Sequence, residues 1–333
     1  MNKFNLKNYK GGWKKNTTDS RDWEWDEIFG AVALGEEVLP DAFDRTPELP
    51  LYMPFQNGIP SCVLCSFAYI QGYKQKKELK REFELSWRFP WAFTPHTPTG
   101  STFRDGAKTF QDRGTSSIIF TPDRPEMGYN WVEDPINITE EAKQDALFNR
   151  IKNYQNVSWL DFRRALYREP LIIAVGGNNA TWNTQYVKDH NYIIDQKGMN
   201  DNNRQWAHAV VPVDYKKDTD GQFIYRIPNW WGKEWGLNGY AWLKNPDILA
   251  IISVEDLSNI TNINYMMKLL KLKTKPTIFL TNEKLKLKQE IFSEADYIAI
   301  TGKNPSDWSL IEEVDQAELD NYQTVGKILA FQR

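Results

Sequence analysis

Residues 55–68 read FQNGIPSCVLCSFA and carry the strongest local signal in the chain. The Asn, Gly and Pro predict a turn, and the apolar residues after them predict a long helix from about Cys62 to Phe83. At a helix start, the helix dipole and unpaired backbone N–H groups favour a thiolate over a thiol. We therefore expect Cys62 to be a nucleophile, with its own N–H and the amide of Gln56 as two donors for an oxyanion.

A nucleophilic cysteine is normally paired with an imidazole, and the chain has three histidines. His96 and His190 lie in loop-like sequence and are predicted to be surface residues. His208 lies in QWAHAVV (205–211), a predicted strand whose small residues leave room for its ring to face a cleft. Twenty-one residues later, NWWGKEWGLNGY begins at Asn229, whose side chain can orient the imidazole while Trp231 shields their hydrogen bond from water.

Together these segments resemble the papain-like cysteine peptidases, in particular their compact prokaryotic and viral members. The shared pattern is Gln, then Ser-Cys, then Ala-His-Ala-Val, then Asn-x-Trp-Gly-x-x-Trp-Gly-x-x-Gly-Tyr, with the His 146 residues after the Cys. The resemblance implies that Cys62 is the nucleophile, His208 the general base and then acid, and Asn229 the orienting residue. It also implies that Gln56 is an oxyanion donor and that Trp231 supports the site.

The resemblance spans about residues 40–246 and implies an α+β, papain-like fold of two subdomains. One subdomain is helical, the other is β-barrel-like, and the active-site cleft lies between them. Gly100 and Ser101, before a predicted helix from Phe103 to Arg113, resemble the substrate-binding wall, and Ala207 is a further candidate for substrate binding.

Three positions depart from the family pattern. Ile59 replaces a cysteine that usually forms a disulfide, and Val63 replaces the tryptophan that usually follows the nucleophile. Trp230 follows Asn229 where a small residue is usual, so we expect it to crowd the site. These departures raise the question of whether the nucleophile is active.

Composition suggests three parts. Residues 1–39 form a polar, prosegment-like extension that we expect to lie on or near the groove. Residues 40–258 form the papain-like domain. Residues 266–333 form a small β-containing module with a Lys-rich first half and an acidic second half, loosely resembling attachment modules of bacterial and phage surface proteins.

Further elements are predicted from periodicity and β-propensity. The predicted helices are Glu140–Tyr154 and Trp159–Tyr167, the latter capped by Ser158. The predicted strands are Leu171–Val175, Ala207–Tyr215, Phe223–Ile227, Tyr240–Leu243 and short strands within 266–288 that turn near Thr281–Glu283.

Charge and cysteine content exclude several function classes. The net charge of −3 over 333 residues gives no footprint for nucleic acid. Two cysteines are too few for a disulfide framework or a four-cysteine metal site. We expect no cofactor, no membrane span and no signal peptide, a peptide or protein substrate, and a cytoplasmic or virion-associated protein of bacterial or phage type.

Other interpretations stay open. Cys62 and Cys65 form a C-x-x-C, the spacing of thioredoxin-like redox sites, but that interpretation leaves Gln56, His208 and Asn229 unexplained. A zinc site lacks ligand spacing, and other Cys-His enzymes, such as cell-wall amidases and transglutaminase-like proteins, lack the Asn-Trp-Trp-Gly block. The main rival is a catalytically silent papain-fold protein that serves as a structural or binding component of a virion or cell-surface assembly.

Overall fold

The structure is a computed structural model that describes residues 11–17, 19, 38–80, 82–257, 267–274, 278–282, 287–291, 311–321 and 323–324. The chain divides into two compact units, Met1–Leu257 and Ser258–Arg333. Most of the predicted extension 1–39 lies outside the described part of the chain.

The helices of the first unit include one long buried helix, α1. They are α1 (Cys62–Leu79), α2 (Arg88–Trp91), α3 (Phe103–Asp112), α4 (Tyr129–Glu133), α5 (Glu140–Ala146), α6 (Phe162–Arg168), α7 (Asn179–Trp182) and α8 (Thr184–Asp189). The first three turns of α1 are buried on every side, as expected for a helix without a polar face. It ends four residues before the predicted Phe83, because Lys80 adopts a left-handed conformation (φ 56°) and its N–H closes on Lys76 O.

Strands in the first unit form two larger sheets and one short pairing. The strands are β1 (Trp13–Lys14), β2 (Ala42–Phe43), β3 (Ser101–Thr102), β4 (Ile151–Asn156), β5 (Ile172–Gly177), β6 (Ile193–Asp195), β7 (Trp206–Val210), β8 (Asp214–Lys217), β9 (Phe223–Pro228), β10 (Tyr240–Lys244) and β11 (Ile248–Asp256). The sheet orders are β4-β11-β5-β7 and β2-β8-β9-β10-β6, and β1 pairs with β3. Strand pairing thus defines two separate sheets.

The four-stranded sheet lies between two hydrophobic cores. In β5, Ile172 and Ala174 belong to the core that contains α1, whereas Ile173 and Val175 belong to the core that contains the five-stranded sheet. Because successive side chains of a strand point to opposite faces, a strand buried on both faces reads as a continuous apolar run. This arrangement places α1 against β7, the strand that carries His208.

Several predicted elements differ from the structure. The predicted helix Glu140–Tyr154 is a helix only to Ala146, and Ile151–Asn156 is instead strand β4, because it pairs with β11. Strand β11 itself was not predicted. The predicted strand Ala207–Tyr215 is two strands, β7 and β8, separated around Pro212. Ser158 bonds to Asp161 in a turn before α6, which begins three residues later than predicted.

The second unit is a small sheet with its own core. Its strands are β12 (Met267–Leu272), β13 (Ile278–Asn282), β14 (Leu287–Ile291), β15 (Ile311–Val314) and β16 (Gln323–Thr324), in the order β15-β12-β13-β14-β16, with α9 at Gln316–Leu319. Leu270, Leu272, Val314 and Leu319 are buried together. The prediction of short strands is confirmed, but β13 continues through Thr281 and Asn282, where the start of a turn was predicted.

Candidate active site

A tight turn delivers Cys62 to the first position of α1. Asn57 and Gly58 both have positive φ (40° and 85°), and Ile59 N–H donates to Gln56 O at 2.9 Å across them. Two consecutive left-handed residues are the reason for an Asn-Gly pair at this turn. Cys62 is fully buried, and its Sγ accepts a hydrogen bond from Ala209 N–H at 3.3 Å. Because Ala209 follows His208 in β7, the fold brings the thiol to the strand of the predicted base.

His208 and Asn229 are joined by a hydrogen bond in a fully buried setting. His208 Nε2 lies 2.8 Å from Asn229 Oδ1, and neither residue is exposed. Asn229 is itself fixed, because its backbone N–H donates to Gly239 O at 2.9 Å. The Trp231 ring stacks on the imidazole with centroids 5.1 Å apart and an interplanar angle of 28°. An indole in this position keeps water from the His208–Asn229 bond.

Burial sets the protonation of His208 in this closed site. Loss of solvation lowers the pKa of His208 to about 4, and the hydrogen bond to Asn229 opposes this fall only in part. The ring is therefore neutral near pH 7. A neutral imidazole oriented through Nε2 can accept a proton at Nδ1, which is what a general base must do.

Two further tryptophans that the sequence analysis missed complete an aromatic enclosure. Trp182 and Trp206 meet the His208 ring edge-on, with centroids 6.0 and 6.2 Å away. A Cβ at Gly177 would lie 2.2 Å from the Trp206 ring, so a glycine at this position in β5 leaves the space that the indole fills. Trp206 lies two residues before His208 and could have been identified from the sequence, whereas Trp182 lies in α7, which is distant from His208 in sequence.

Gln56 lies in the core beside the Asn229 block. It is fully buried, and its backbone N–H donates to Trp230 O at 3.0 Å. Neither Gln56 Nε2 nor Oε1 has a hydrogen-bond partner among the described residues. A buried amide left unpaired costs free energy, so such a group calls for an explanation.

An N-terminal segment runs past the thiol. We call residues 11–14 the strap. Gly12 N–H donates to Ala207 O at 3.2 Å, Ser101 N–H donates to Gly12 O at 3.0 Å, and β1 continues parallel to β3. The predicted substrate-binding residues Ala207, Gly100 and Ser101 all contact it: a Cβ at Gly100 would lie 2.0 Å from Gly12 O.

The strap fits because its first two residues lack side chains. A Cβ at Gly12 would lie 2.6 Å from Cys62 Sγ and 2.7 Å from Pro60 O. Gly11 has φ 79°, and a Cβ there would lie 2.6 Å from Ala207 O. Both positions therefore require glycine. The next residue, Trp13, places its ring 5.9 Å from that of Phe103.

Two of the residues that depart from the family pattern, Val63 and Trp230, belong to the core that contains α1. Trp230 is fully buried, donates through Nε1 to Ala209 O at 2.9 Å and packs its ring 5.4 Å from Tyr69 of α1. Val63 faces α3, where a Cβ at Gly106 would lie 2.9 Å from its Cγ1.

Other predicted roles can be compared with the structure. His96 is not a surface residue: it stacks on Trp91 with centroids 3.9 Å apart, and its Nε2 lies 3.1 Å from Glu133 Oε2. His190 is exposed, as predicted. Cys65 is fully buried 3.6 Å from Ser61 Oγ, and burial raises the pKa of its thiol well above the usual range.

The described residues contain no group of three or more His, Cys, Asp or Glu side chains placed to hold a metal ion. None of the helices in this part of the chain is long and apolar enough to cross a bilayer.

Comparison with solved structures identifies the fold. The chain is similar to xylellain, a cysteine protease from Xylella fastidiosa, with a TM-score of 0.60 and 20% identity over 75% of this chain and 97% of that one. It is also similar to procathepsin B S9 from Trypanosoma congolense (TM-score 0.56, 14% identity, 75% and 87% covered). Its similarity to digestive procathepsin L 3 of Tenebrio molitor has a TM-score of 0.55 and 14% identity over 74% of this chain and 76% of that one.

These similarities confirm the predicted papain-like α+β fold. Comparison with protein-family models and with curated proteins gives no match.

Proposed function

We propose that the protein is a papain-like cysteine peptidase that the strap holds in a latent state. The observation that carries this proposal is the buried bond of 2.8 Å between His208 Nε2 and Asn229 Oδ1, on the strand whose next residue bonds to Cys62 Sγ. These two hydrogen bonds support the proposal that Cys62, His208 and Asn229 act together as nucleophile, base and orienting amide.

Each residue has a defined part in the reaction. His208 accepts the Cys62 proton, and the thiolate attacks the carbonyl carbon of a peptide bond. The oxygen becomes negative, and Gln56 Nε2 and the Cys62 backbone N–H stabilise it. His208 then gives its proton to the leaving amine as the C–N bond breaks, which leaves an acyl-enzyme. A water molecule, deprotonated by His208, hydrolyses the thioester and restores the thiol.

The strap blocks this reaction without being its substrate. Ser101 N–H holds the Gly12 carbonyl oxygen, while Gln56 Nε2 has no partner among the described residues. A carbonyl bound outside the oxyanion hole lacks the stabilisation that attack requires. Residues 11–14 therefore obstruct the cleft in a register that resists cleavage.

Labelling with an epoxide thiol probe under reducing conditions tests the proposal. We expect slow labelling of Cys62 that disappears in Cys62→Ala, falls sharply in His208→Ala and is unchanged in Cys65→Ala. Labelling of both cysteines to the same extent, independent of His208, would contradict the peptidase. A Cys62 that stays unlabelled after the strap is displaced would favour the silent, structural alternative.

A further inference from the structure

Residues 51–56 lead into Gln56 without forming a helix or strand. Their position depends on individual contacts with neighbouring elements. Trp87 Nε1 donates to Phe55 O at 3.2 Å, and Leu51 N–H donates to Glu82 Oε2 at 3.1 Å. Between these contacts, the Tyr52 hydroxyl donates to Asp123 Oδ2. We call residues 51–56 the oxyanion segment.

Asp123 links the oxyanion segment to the start of α2. Its other oxygen, Oδ1, accepts from Ser86 Oγ at 3.0 Å, and Ser86 Oγ accepts from Arg88 N–H at 3.1 Å. Backbone N–H groups of Phe55 and Trp87 also stabilise its ionised form. One carboxyl group therefore holds both Tyr52 and the neighbour of Gln56 against a fixed helix start.

The surroundings of Asp123 place its titration near neutrality. Burial raises the pKa of Asp123 to about 7, and the hydrogen bonds from Tyr52 and Ser86 oppose the rise. The other titratable or charged groups around this network are Cys65, Glu84, Arg88 and Arg124. An ionised carboxylate accepts from both hydroxyls, whereas a protonated one uses one oxygen as a donor.

We propose that Asp123 is a positioning residue for the oxyanion donor: its ionised carboxyl fixes the oxyanion segment and so aims Gln56, and its protonation loosens that hold. The inference rests on the proposed peptidase function for the role of Gln56, but the hold on the segment can be tested without turnover. Asp123 contacts none of the reacting atoms, and it acts through Tyr52 and Phe55.

Asp123→Asn is expected to have different effects on the stability of the fold and on the position of the oxyanion segment. Because the folded pKa of about 7 is above the usual value for Asp, the folded state disfavours the ionised form. The resulting stability is present at low pH and is lost as pH rises through about 7. At about pH 8 we therefore expect Asp123→Asn to melt no lower than the native protein, although it disturbs the oxyanion segment.

Two probes of Cys62 distinguish an effect on the oxyanion hole from an effect on the thiol. The aldehyde leupeptin forms a hemithioacetal whose oxygen needs the hole, whereas iodoacetamide alkylates the thiolate without it. In full-length protein at about pH 8, Asp123→Asn should weaken the affinity for leupeptin by about tenfold and change the rate of alkylation by iodoacetamide by less than about twofold.

Asp145→Asn is the matched control. Burial raises the pKa of Asp145 to about 6, and its carboxyl accepts from Ser117 N–H at 2.6 Å. Among the described residues, no hydrogen bond joins that carboxyl to the oxyanion segment. Both probes should therefore react with Asp145→Asn as with the native protein. The proposal would be overturned if Asp123→Asn left the affinity for leupeptin unchanged, or if it reduced the reaction with both probes equally.

A readout independent of activity is the NMR signal of the Gln56 side-chain amide, assigned by its absence in Gln56→Ala. Its shift should titrate near pH 7 in the native protein and in Asp145→Asn, but not in Asp123→Asn. The same titration in Asp123→Asn would overturn the proposal. If the protein reacts with neither probe after the strap has been displaced, the peptidase proposal fails, and the amide titration decides the role of Asp123.

Discussion

The two sides of the Cys62 thiol are held by different means. On the catalytic side, His208 and Asn229 are buried side chains fixed by a 2.8 Å hydrogen bond and surrounded by indoles. On the strap side, Gly11 and Gly12 have no side chains, and Gly12 is held by two backbone hydrogen bonds. Buried side chains that depend on one another indicate a permanent structure, whereas the strap is joined to the cleft by backbone hydrogen bonds, the β1–β3 pairing and the Trp13 ring, and the latency proposal requires it to leave.

The largest effect is expected on the catalytic side. His208→Ala should lower casein turnover by at least about 10³-fold, because removing a member of such a catalytic group removes most of its chemistry. His190→Ala, which alters an exposed histidine, is the control and should have native turnover. Turnover retained in His208→Ala would show that the buried His208 and Asn229 side chains do not carry the chemistry.

Acid should weaken the catalytic side through His208. Its folded pKa of about 4 lies below the usual value of about 6.5, so the unfolded state binds the proton more tightly. Stability is then complete above about pH 6.5 and falls between about pH 6.5 and 4, by up to about 3 kcal/mol. Chemical unfolding at several pH values should show this extra loss in the native protein and not in His208→Gln. Equal pH dependence in the two proteins would contradict it.

The strap side should respond to a single added methyl group. Gly11→Ala places a Cβ against Ala207 O at a left-handed φ, so we expect the strap to leave and Cys62 labelling by the epoxide to accelerate by about tenfold. Gly221→Ala is the matched control, because Gly221 also has a positive φ (75°) but has no atoms within 4 Å of the added Cβ. Labelling that stays slow in Gly11→Ala would show that the strap does not limit access.

The smallest effect is expected outside both sides. The second unit begins at Ser258 and has its own core, and the proposed catalytic residues and the strap all lie in the first. Removing residues 258–333 should change Cys62 labelling by less than about twofold, since effects at independent sites are additive. A larger change, measured beside the full-length chain, would mean that the second unit acts on the cleft.

Sequence alone grouped Cys62, His208 and Asn229 into one candidate site because the signals around them are local. A turn before a helix, an Ala-His-Ala strand and an Asn-Trp-Trp-Gly block each predict a residue's surroundings from its neighbours. The papain-like fold followed from the same blocks. Residues whose placement depends on distant partners were less predictable: most of β4 was predicted to be helical but pairs with β11, and His96 is half-buried against Trp91.

The strap was predicted only in outline, as an extension near the groove. Its register depends on Gly12 meeting Ala207 and Ser101, which are distant in sequence, and no local period encodes such pairing. Asp123 was missed for the same reason: its partners Tyr52 and Ser86 are 71 and 37 residues away. An isolated Asp after a Pro has no distinguishing pattern, and only the folded chain shows what it holds.

The hydrogen bond from Ser101 N–H to Gly12 O also bears on how inhibition scales with concentration. A strap that is not cut stays tethered to its own cleft, where short tethers give effective concentrations in the millimolar range. Latency then does not weaken when the protein is diluted, and a detached copy of residues 11–14 would have to reach similar concentrations to act. A substrate competes with the tether at every encounter, so activity rises gradually with substrate and falls again when the substrate is consumed.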